Sequence, residues 1–552
     1  MFSSIQFHNP LNQTAMKVET KLVISLSLAV ILQFSANGQY ADEAFRYSQI
    51  TQSGTARFQG LGGNHAALGG DASAGFGNPA GLAFYNRSEL SISPAATLFG
   101  TNSSYLKDAR NAGTNTSDSK SNPNIAHIGL ILAGEPNNYN RKWRRTTIGV
   151  TYSRQNTFQN TFSYGGRNNA SSIVDNILER ANRRNINSTA LDNEFSQNTN
   201  SASSLEAAAY QLYLFDPTNY SQFPSSDPRS SGVPYRRSPL DRNTPTDQSG
   251  QFVTTGAATQ WTFTYAGNYE DRLYVGGSIG LSSVKFGYQH TLREQFVGAK
   301  QTRGVVYNEN LRVSGGGINV SIGAIYKVTD NIQIGATLLS PSFTSIKETF
   351  DEAIEADFIG VPILDNQGRP TTFVPSLKRV EVQAADFEYN LRTPLVASGG
   401  LTYFFGKKGF LTGSAEYVNY SGMRVSTSFY NNSSENTAFR NDYRTQISNT
   451  FQNVLNVRVG AEARLGSFRV RAGGAVLGNP YQTRNSNPDR GQVIYSAGGG
   501  YRNDRFFVDI SGSYTTYQTP FTPYRLNDTA RFSAVTTTNN ITNVVLSVGT
   551  FF

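Results

Sequence analysis

The sequence predicts an all-β protein: a fourteen-stranded antiparallel transmembrane β-barrel with an N-terminal hatch plugging the lumen. Three observations carry that expectation. Apolar residues recur with period two along many segments, the mark of strands with one apolar face. The connections between those segments alternate between very short and very long. Beyond the first 38 residues no apolar run is long enough for a spanning helix. Composition agrees: mean hydropathy is -0.39, yet Gly (51), Tyr (29) and Phe (35) are abundant. Glycine and aromatics with few aliphatic runs suit a barrel that alternates its faces, not a helical membrane protein.

Residues 1–38 are not expected in the mature fold. Met16-Lys17-Val18-Glu19-Thr20-Lys21 precedes an apolar run from Leu22 to Leu32, with Ala36 and Gly38 at the −3 and −1 positions of a cut before Gln39. A basic start, a short apolar centre and a small-residue exit make a secretory signal peptide. Met1 to Ala15 reads as an upstream extension from a mis-assigned start.

Residues 39–87 lack the period of a strand and form the expected hatch. Gly54-Thr55-Ala56-Arg57-Phe58-Gln59-Gly60-Leu61-Gly62-Gly63 and the later Ala67–Ser73 and Asn78–Leu82 runs are dense in Gly and Ala. Such a segment suits tight turns and close backbone packing. It is too small to bury a core of its own, and packing inside a barrel solves that problem.

From residue 88 the alternation assigns strands at 88–98, 124–133, 145–154, 258–267, 272–286, 312–326, 332–341, 390–405, 410–420, 454–464, 468–477, 492–502, 505–516 and 541–552. Polar turns as short as Gly466-Ser467 and Asn503-Asp504-Arg505 join alternate pairs. Long polar connections join the others, the largest at about 155–257. Short turns face the periplasm and long loops the outside. Two amphipathic runs inside the largest loop, Ile173–Leu178 and Leu205–Tyr213, are candidates to cover the external mouth or simply to close the loop. A second long loop is expected from Phe343 to Val380.

Charge placement identifies the inner face. Arg458, Glu462, Arg464, Arg469 and Arg471 alternate with Val457, Val459, Ala461, Phe468 and Val470. A charge facing lipid at mid-membrane costs about 2–4 kcal/mol, so these five, with Glu416, are expected to point into the lumen. There they either hold something inside the barrel or form a selectivity ring. The last strand ends Val544-Val545-Leu546-Ser547-Val548-Gly549-Thr550-Phe551-Phe552. That ending resembles the C-terminal signal of bacterial outer-membrane barrels, with the barrel assembly machinery as the expected partner of Phe552.

With these residues in view, a family resemblance becomes specific. Ala67-Leu68-Gly69-Gly70-Asp71-Ala72-Ser73 followed by Asn78-Pro79-Ala80-Gly81-Leu82 resembles the N-terminal hatch of the outer-membrane long-chain fatty acid transporter family, the FadL/TodX-like proteins. Gly317–Tyr326, Asp330, Ile334-Gly335 and Ser340-Pro341 resemble the family's mid-barrel hairpin. Phe404–Tyr420 resembles members from Bacteroidetes-type bacteria. The resemblance implies passive transport of hydrophobic compounds, above all long-chain fatty acids, with a shift of the hatch releasing the ligand, in some members sideways through the wall. It implies gating roles for Asn78, Pro79, Ala80 and Gly81, with Asp71 and Ser73 just upstream. Neither a cofactor nor a metal is implied.

Other classes fit less well. A general diffusion porin would need no hatch, and a haemin receptor would need axial ligands from His65, His127 and His290, which are far apart in a chain without cysteine. Gly276-Gly277-Ser278-Ile279-Gly280 matches a lipase elbow, but Ser278 falls within an expected strand and not at a strand-to-helix turn. No enzyme activity is expected. The basic excess is mild and no dense Lys/Arg run occurs, so nucleic acid is not an expected partner. The expected partners are a hydrophobic small molecule and outer-membrane lipid, and the barrel is expected to be a monomer.

Overall fold

The computed structural model describes residues 39–49, 54–105, 114–136, 141–217, 235–237, 241, 244–364, 367–482, 489–528, 531 and 534–552. The expected signal peptide lies outside the described residues.

Fourteen antiparallel strands close on themselves. They are β1 (Glu89–Tyr105), β2 (Asn115–Ala133), β3 (Trp143–Thr157 continued by Asn160–Asn168), β4 (Thr246–Tyr269) and β5 (Leu273–Phe296). Next come β6 (Thr302–Lys327), β7 (Ile332–Leu339 continued by Phe343–Phe358), β8 (Ala385–Arg392 continued by Val396–Phe404) and β9 (Gly409–Val418 continued by Arg424–Ser426). The circuit ends with β10 (Val454–Leu465), β11 (Phe468–Leu477), β12 (Gln492–Arg502), β13 (Phe506–Phe521) and β14 (Val535–Phe551). Each pairs with its neighbour in sequence, and β14 returns to β1 from Tyr105↔Val535 to Glu89↔Phe551. Closure leaves the wall no free edge at the seam.

The two faces of the wall are inverted relative to a water-soluble protein. Outward positions such as Ile148, Phe263, Ile322, Leu401, Val459 and Ile510 are exposed, while inward Thr147, Thr262, Ser321, Thr402 and Ser547 are buried. At the short-turn end Trp143, Tyr326, Tyr403, Phe405, Phe468 and Phe506 are exposed, forming an aromatic girdle. An apolar band bounded by aromatics on a closed antiparallel barrel is the surface of an outer-membrane protein, and the chain resides in that membrane.

The strands run further outward than their alternation predicts. β3 was expected to stop at Arg154 and β4 to start at Ala258, yet β3 reaches Asn168 and β4 begins at Thr246. The expected loop 155–257 is therefore corrected to 169–245. Likewise much of the loop expected from Phe343 to Val380 is the outer half of β7. Above the membrane polar residues serve on the outward face, so the apolar period fades while the hydrogen-bond ladder continues.

Helices and short strand pairs close the outer end. Both amphipathic runs are helical: Ile173–Leu178 begins α3 (Ile173–Arg184), and Leu205–Tyr213 contains α5 (Leu205–Gln211), with α4 (Ser188–Asn193) between them. α1 (Gln39–Ser48) and α2 (Ala56–Gly60) precede them in the hatch, and α6 (Ser433–Thr450) follows β9. Ile173, Ile177, Leu205 and Ala208 are buried with Leu292, Phe296, Val305 and Ile354 from β5, β6 and β7 in one apolar cluster.

The hatch crosses the lumen and approaches the wall through glycines. A Cβ on Gly473 of β11 would sit 2.3 Å from the amide nitrogen of Gly62, and one on Gly276 of β5 would sit 2.6 Å from the carbonyl carbon of Pro79. Only a residue without a side chain permits that backbone-on-backbone contact. Gly473→Ala is accordingly expected to lower stability by about 1–3 kcal/mol through overpacking, while Gly499→Ala on β12, where the nearest atom lies at 3.7 Å, stays close to wild type. Thermal unfolding in detergent measures both.

Candidate functional site: hatch, cavity and wall gap

The hatch motif is held by its own polar side chains. Asn78 is fully buried and precedes a 3-10 turn over Pro79–Phe84; its Oδ1 accepts from the Ala80 amide at 3.2 Å. Its Nδ2 donates to the carbonyl of Ala66 at 2.7 Å, and at 3.4 and 3.3 Å to Ala324 on β6 and Ala336 on β7. Asn78 therefore links two hatch segments and two wall strands. Proline at the first turn position needs no donor and fixes φ for the turn. The Gly81 amide closes the turn on the Asn78 carbonyl at 2.9 Å and the Gly81 carbonyl accepts from Gly70 at 3.0 Å. Ala80 is buried beneath them.

Asp71 and Ser73 tie the next pair of segments. Asp71 accepts from the Thr55 hydroxyl at 2.8 and 2.9 Å and from the Ser73 amide at 2.9 Å. Ser73 Oγ accepts from the Thr55 amide at 2.8 Å.

The charges expected in the lumen fall into two groups and one outlier. Glu462 is bridged by Arg471 at 2.8 Å and Arg464 at 2.9 Å, and Arg471 also reaches Asp509 at 2.6 Å. The hatch enters this cluster through Arg57, 3.5 Å from Glu462 and 3.9 Å from Asp71. Glu416 and Arg458 make a separate pair at 3.5 Å, and Arg458 also donates to the Gly62 carbonyl at 3.4 Å. Arg469 stands directly across the ladder from Arg464; it donates to the carbonyls of Gly466 and Phe468 at the periplasmic turn, and no ion pair joins it to the cluster among the described residues. Glu462, Arg464 and Arg471 still act on it through their charges. The alternation found the wall's charges but had no means to find Arg57, whose segment has no period.

Above the hatch lies a cavity of about 770 Å³. Phe58, His65 and Phe76 of the hatch form part of its floor, and Phe45 and Tyr47 of α1 line it too. α1 is anchored by aromatic contacts: Phe45 packs on Phe451 and Tyr420, each at 5.1 Å between centroids, and Tyr47 packs on Phe286 at 5.8 Å. These anchors were invisible in sequence because their partners come from β5 and from the segments flanking β9 and β10.

The cavity reaches a break in the wall. β2 and β3 pair only from Ala133↔Thr147 to His127↔Ser153. Near this point β1 shifts register against β2 at Ser93/Pro94, and β3 bulges against β4 between Arg154 and Asn156. β3 then steps inward. Asn160 accepts from Thr101 of β1 at 2.8 Å and donates to Asn539 of β14 at 3.2 Å, and both of those side chains point into the lumen. Contact with β2 resumes where the Ser163 amide donates to Asp118 at 2.7 Å. Between these limits, among the described residues, no backbone hydrogen bond joins β2 to β3. Lys120 extends from β2 to the Thr254 carbonyl of β4 at 3.1 Å. Cavity-lining Asn124, Arg154, Phe158 and Phe162 stand at this gap.

The remaining candidates do not converge on chemistry. Ser278 lies mid-strand with its hydroxyl 2.6 Å from that of Ser321, and no helix follows it as a nucleophile elbow requires. Among the described residues no group of three or more His, Cys, Asp or Glu is placed to hold a metal. At the outer end burial pushes the Glu206 carboxyl up, but Arg180 at 3.0 Å and Arg184 at 3.5 Å outweigh it and hold Glu206 below the usual range.

Two outcomes are expected. Arg57→Met leaves Glu462 with its wall partners but cuts the hatch from them, so single-channel recordings should show more frequent hatch excursions at unchanged barrel stability within about 1–3 kcal/mol. Burial pushes the His65 imidazole below its ordinary value, so His65 is neutral in the fold and charges more readily when unfolded. Its contribution is complete above about pH 6.5 and is lost as pH falls. Acidification from neutrality should therefore loosen the hatch, and His65→Phe should blunt that dependence in hydrogen exchange of residues 54–84.

No protein-family model matches the chain, and no curated protein does. Among solved structures it is similar to a Pseudomonas aeruginosa FadL homologue, with 12% identity, a TM-score of 0.48, and coverage of 92% of this chain and 99% of that one. It is also similar to the P. putida toluene transporter TodX, with 11% identity, a TM-score of 0.48, and coverage of 91% and 99%. A third is the Ralstonia pickettii toluene transporter TbuX, with 13% identity, a TM-score of 0.42, and coverage of 91% and 99%.

Proposed function

We propose that this protein transports hydrophobic compounds across the outer leaflet of the outer membrane by passive diffusion, with long-chain fatty acids as the favoured substrate. The observation that carries the reading is the continuity between the 770 Å³ cavity and the break between β2 and β3. A ligand enters from the outer end, desolvates against Phe158, Phe162 and Phe286, and leaves sideways into lipid. The hatch beneath, fastened by Asn78 and Arg57, bars the direct route to the periplasm. An apolar cargo moving from water into lipid needs no coupled energy source, because its own transfer free energy drives it.

A carboxylate-bearing cargo is favoured by Arg154. It lines the cavity at the gap, and its Nε is buried without a hydrogen-bond partner. An unsatisfied buried donor of this kind is costly until an acceptor arrives. Phe158 and Phe162 on the same strand extend an apolar path away from that cation for the acyl chain. The toluene carriers among the similar structures handle neutral hydrocarbons, and Arg154 separates the two possibilities.

Arg154→Gln is expected to weaken binding of a fluorescent long-chain fatty acid about tenfold while leaving toluene binding unchanged. Asn124→Trp, which narrows the gap from the β2 side, is expected to retain binding and lose uptake into lipid vesicles. Large steady conductance of the wild-type protein in planar bilayers with no saturable binding would overturn the reading in favour of a porin.

A further inference from the structure

We infer that Arg392 and Arg424 form a binding site for the phosphate groups of a phosphorylated glycolipid of the outer leaflet, on the outside of the barrel. The site is separate from the cavity and its use does not depend on the cargo.

The argument begins with register. Arg392 of β8 and Arg424 of β9 are direct cross-strand partners. Their neighbours Leu391 and Val425 are buried, so both arginines take the outward face. Like charges directly opposite on adjacent strands are destabilising. Arg444 of α6 adds to the conflict: it and Arg392 both act on Arg424 by charge repulsion. Arg440 lies four residues before Arg444 on the same side of the helix and adds a further positive charge.

Nothing in the described protein neutralises this group. Arg424 spends donors on the carbonyls of its own turn, Ser421 at 2.9 Å and Met423 at 2.6 Å. Among the described residues no carboxylate is within ion-pair distance of Arg392, Arg424 or Arg444. The contrast with adjacent strands is informative. Arg312 of β6 is paired with Asp351 at 2.9 Å, and Lys347 of β7 with Glu388 at 3.5 Å. The same surface supplies counterions to these two cations and withholds them here.

Position selects the ligand. Arg392 is level with Phe343 of β7, whose ring is 62% exposed and is the last apolar outward residue on that strand. Below on β9 stands exposed Tyr417. The guanidinium groups of Arg392 and Arg424 therefore sit at the upper rim of the apolar band, on the long-loop side, where the outer leaflet places its polar groups. Arginine is the side chain of choice for planar, bidentate recognition of phosphate. Two such groups beside an exposed apolar surface fit a lipid that presents phosphate above acyl chains.

The test uses the refolded full-length protein in detergent, with phosphorylated lipid A as the probe and its dephosphorylated form and inorganic phosphate as controls. The variant is Arg392→Gln/Arg424→Gln, whose side chains have no acidic partner to lose. Phosphorylated lipid A is expected to raise the thermal midpoint of the wild type and to bind the variant at least about tenfold more weakly, with dephosphorylated lipid inactive. Without lipid the variant should be as stable as the wild type or more so, since a like-charge pair has been removed. Equal binding of phosphorylated lipid to both proteins would overturn the inference. So would an equal shift from inorganic phosphate, which would make this an anion site and not a lipid site.

Discussion

Every part of this molecule follows from one requirement: in hydrocarbon, backbone amides and carbonyls must find partners within the protein. The closed ladder from β1 through β14 and back meets it. Once the wall is closed the apolar side chains have nowhere to go but outward, and the hydroxyls of Thr147, Thr262, Ser321 and Ser547 are left facing in. The lumen is thus polar by default, and whatever fills it must satisfy polar groups.

The hatch does this with backbone more than with side chains. Leu61, Gly62, Ala66 and Pro79 lie against wall glycines, and Asn78 distributes one amide among carbonyls of hatch and wall. A plug joined mainly by hydrogen bonds and by bridging cations, Arg57 to Glu462 and Arg458 to the Gly62 carbonyl, has a well-defined resting place without a continuous apolar core. The individual bonds are modest, so such a plug can shift without breaking a strand ladder.

The gap between β2 and β3 is the exception to the opening requirement, and the structure shows how it is tolerated. The β2–β3 ladder ends at His127↔Ser153, beside a register shift at Pro94 and a bulge at Arg154–Asn156, and displaced β3 recovers partners inside, on Thr101 and Asn539. Side chains such as Lys120 then serve the carbonyls left behind. Irregular backbone at membrane depth survives where it lines a cavity, and here the cavity reaches that point.

The sequence by itself determined the fold class, the strand count and the direction of wall residues within the stretches where period two is clear. Two forces acting locally write these: period two along each strand, and the charge penalty that turns Glu462 and Arg471 inward. It also marked Asn78, Asp71 and Ser73 through the hatch motif. Only the tertiary structure decided how far the strands run above the membrane, where polar residues erase the period, and which residues meet across the lumen. Arg57 with Glu462, Phe45 with Phe451 and Arg392 with Arg424 are distant or out of pattern in the chain. Closure of the barrel brings them together, and no local pattern encodes a contact whose partner is fixed by strand register and by the path of the hatch.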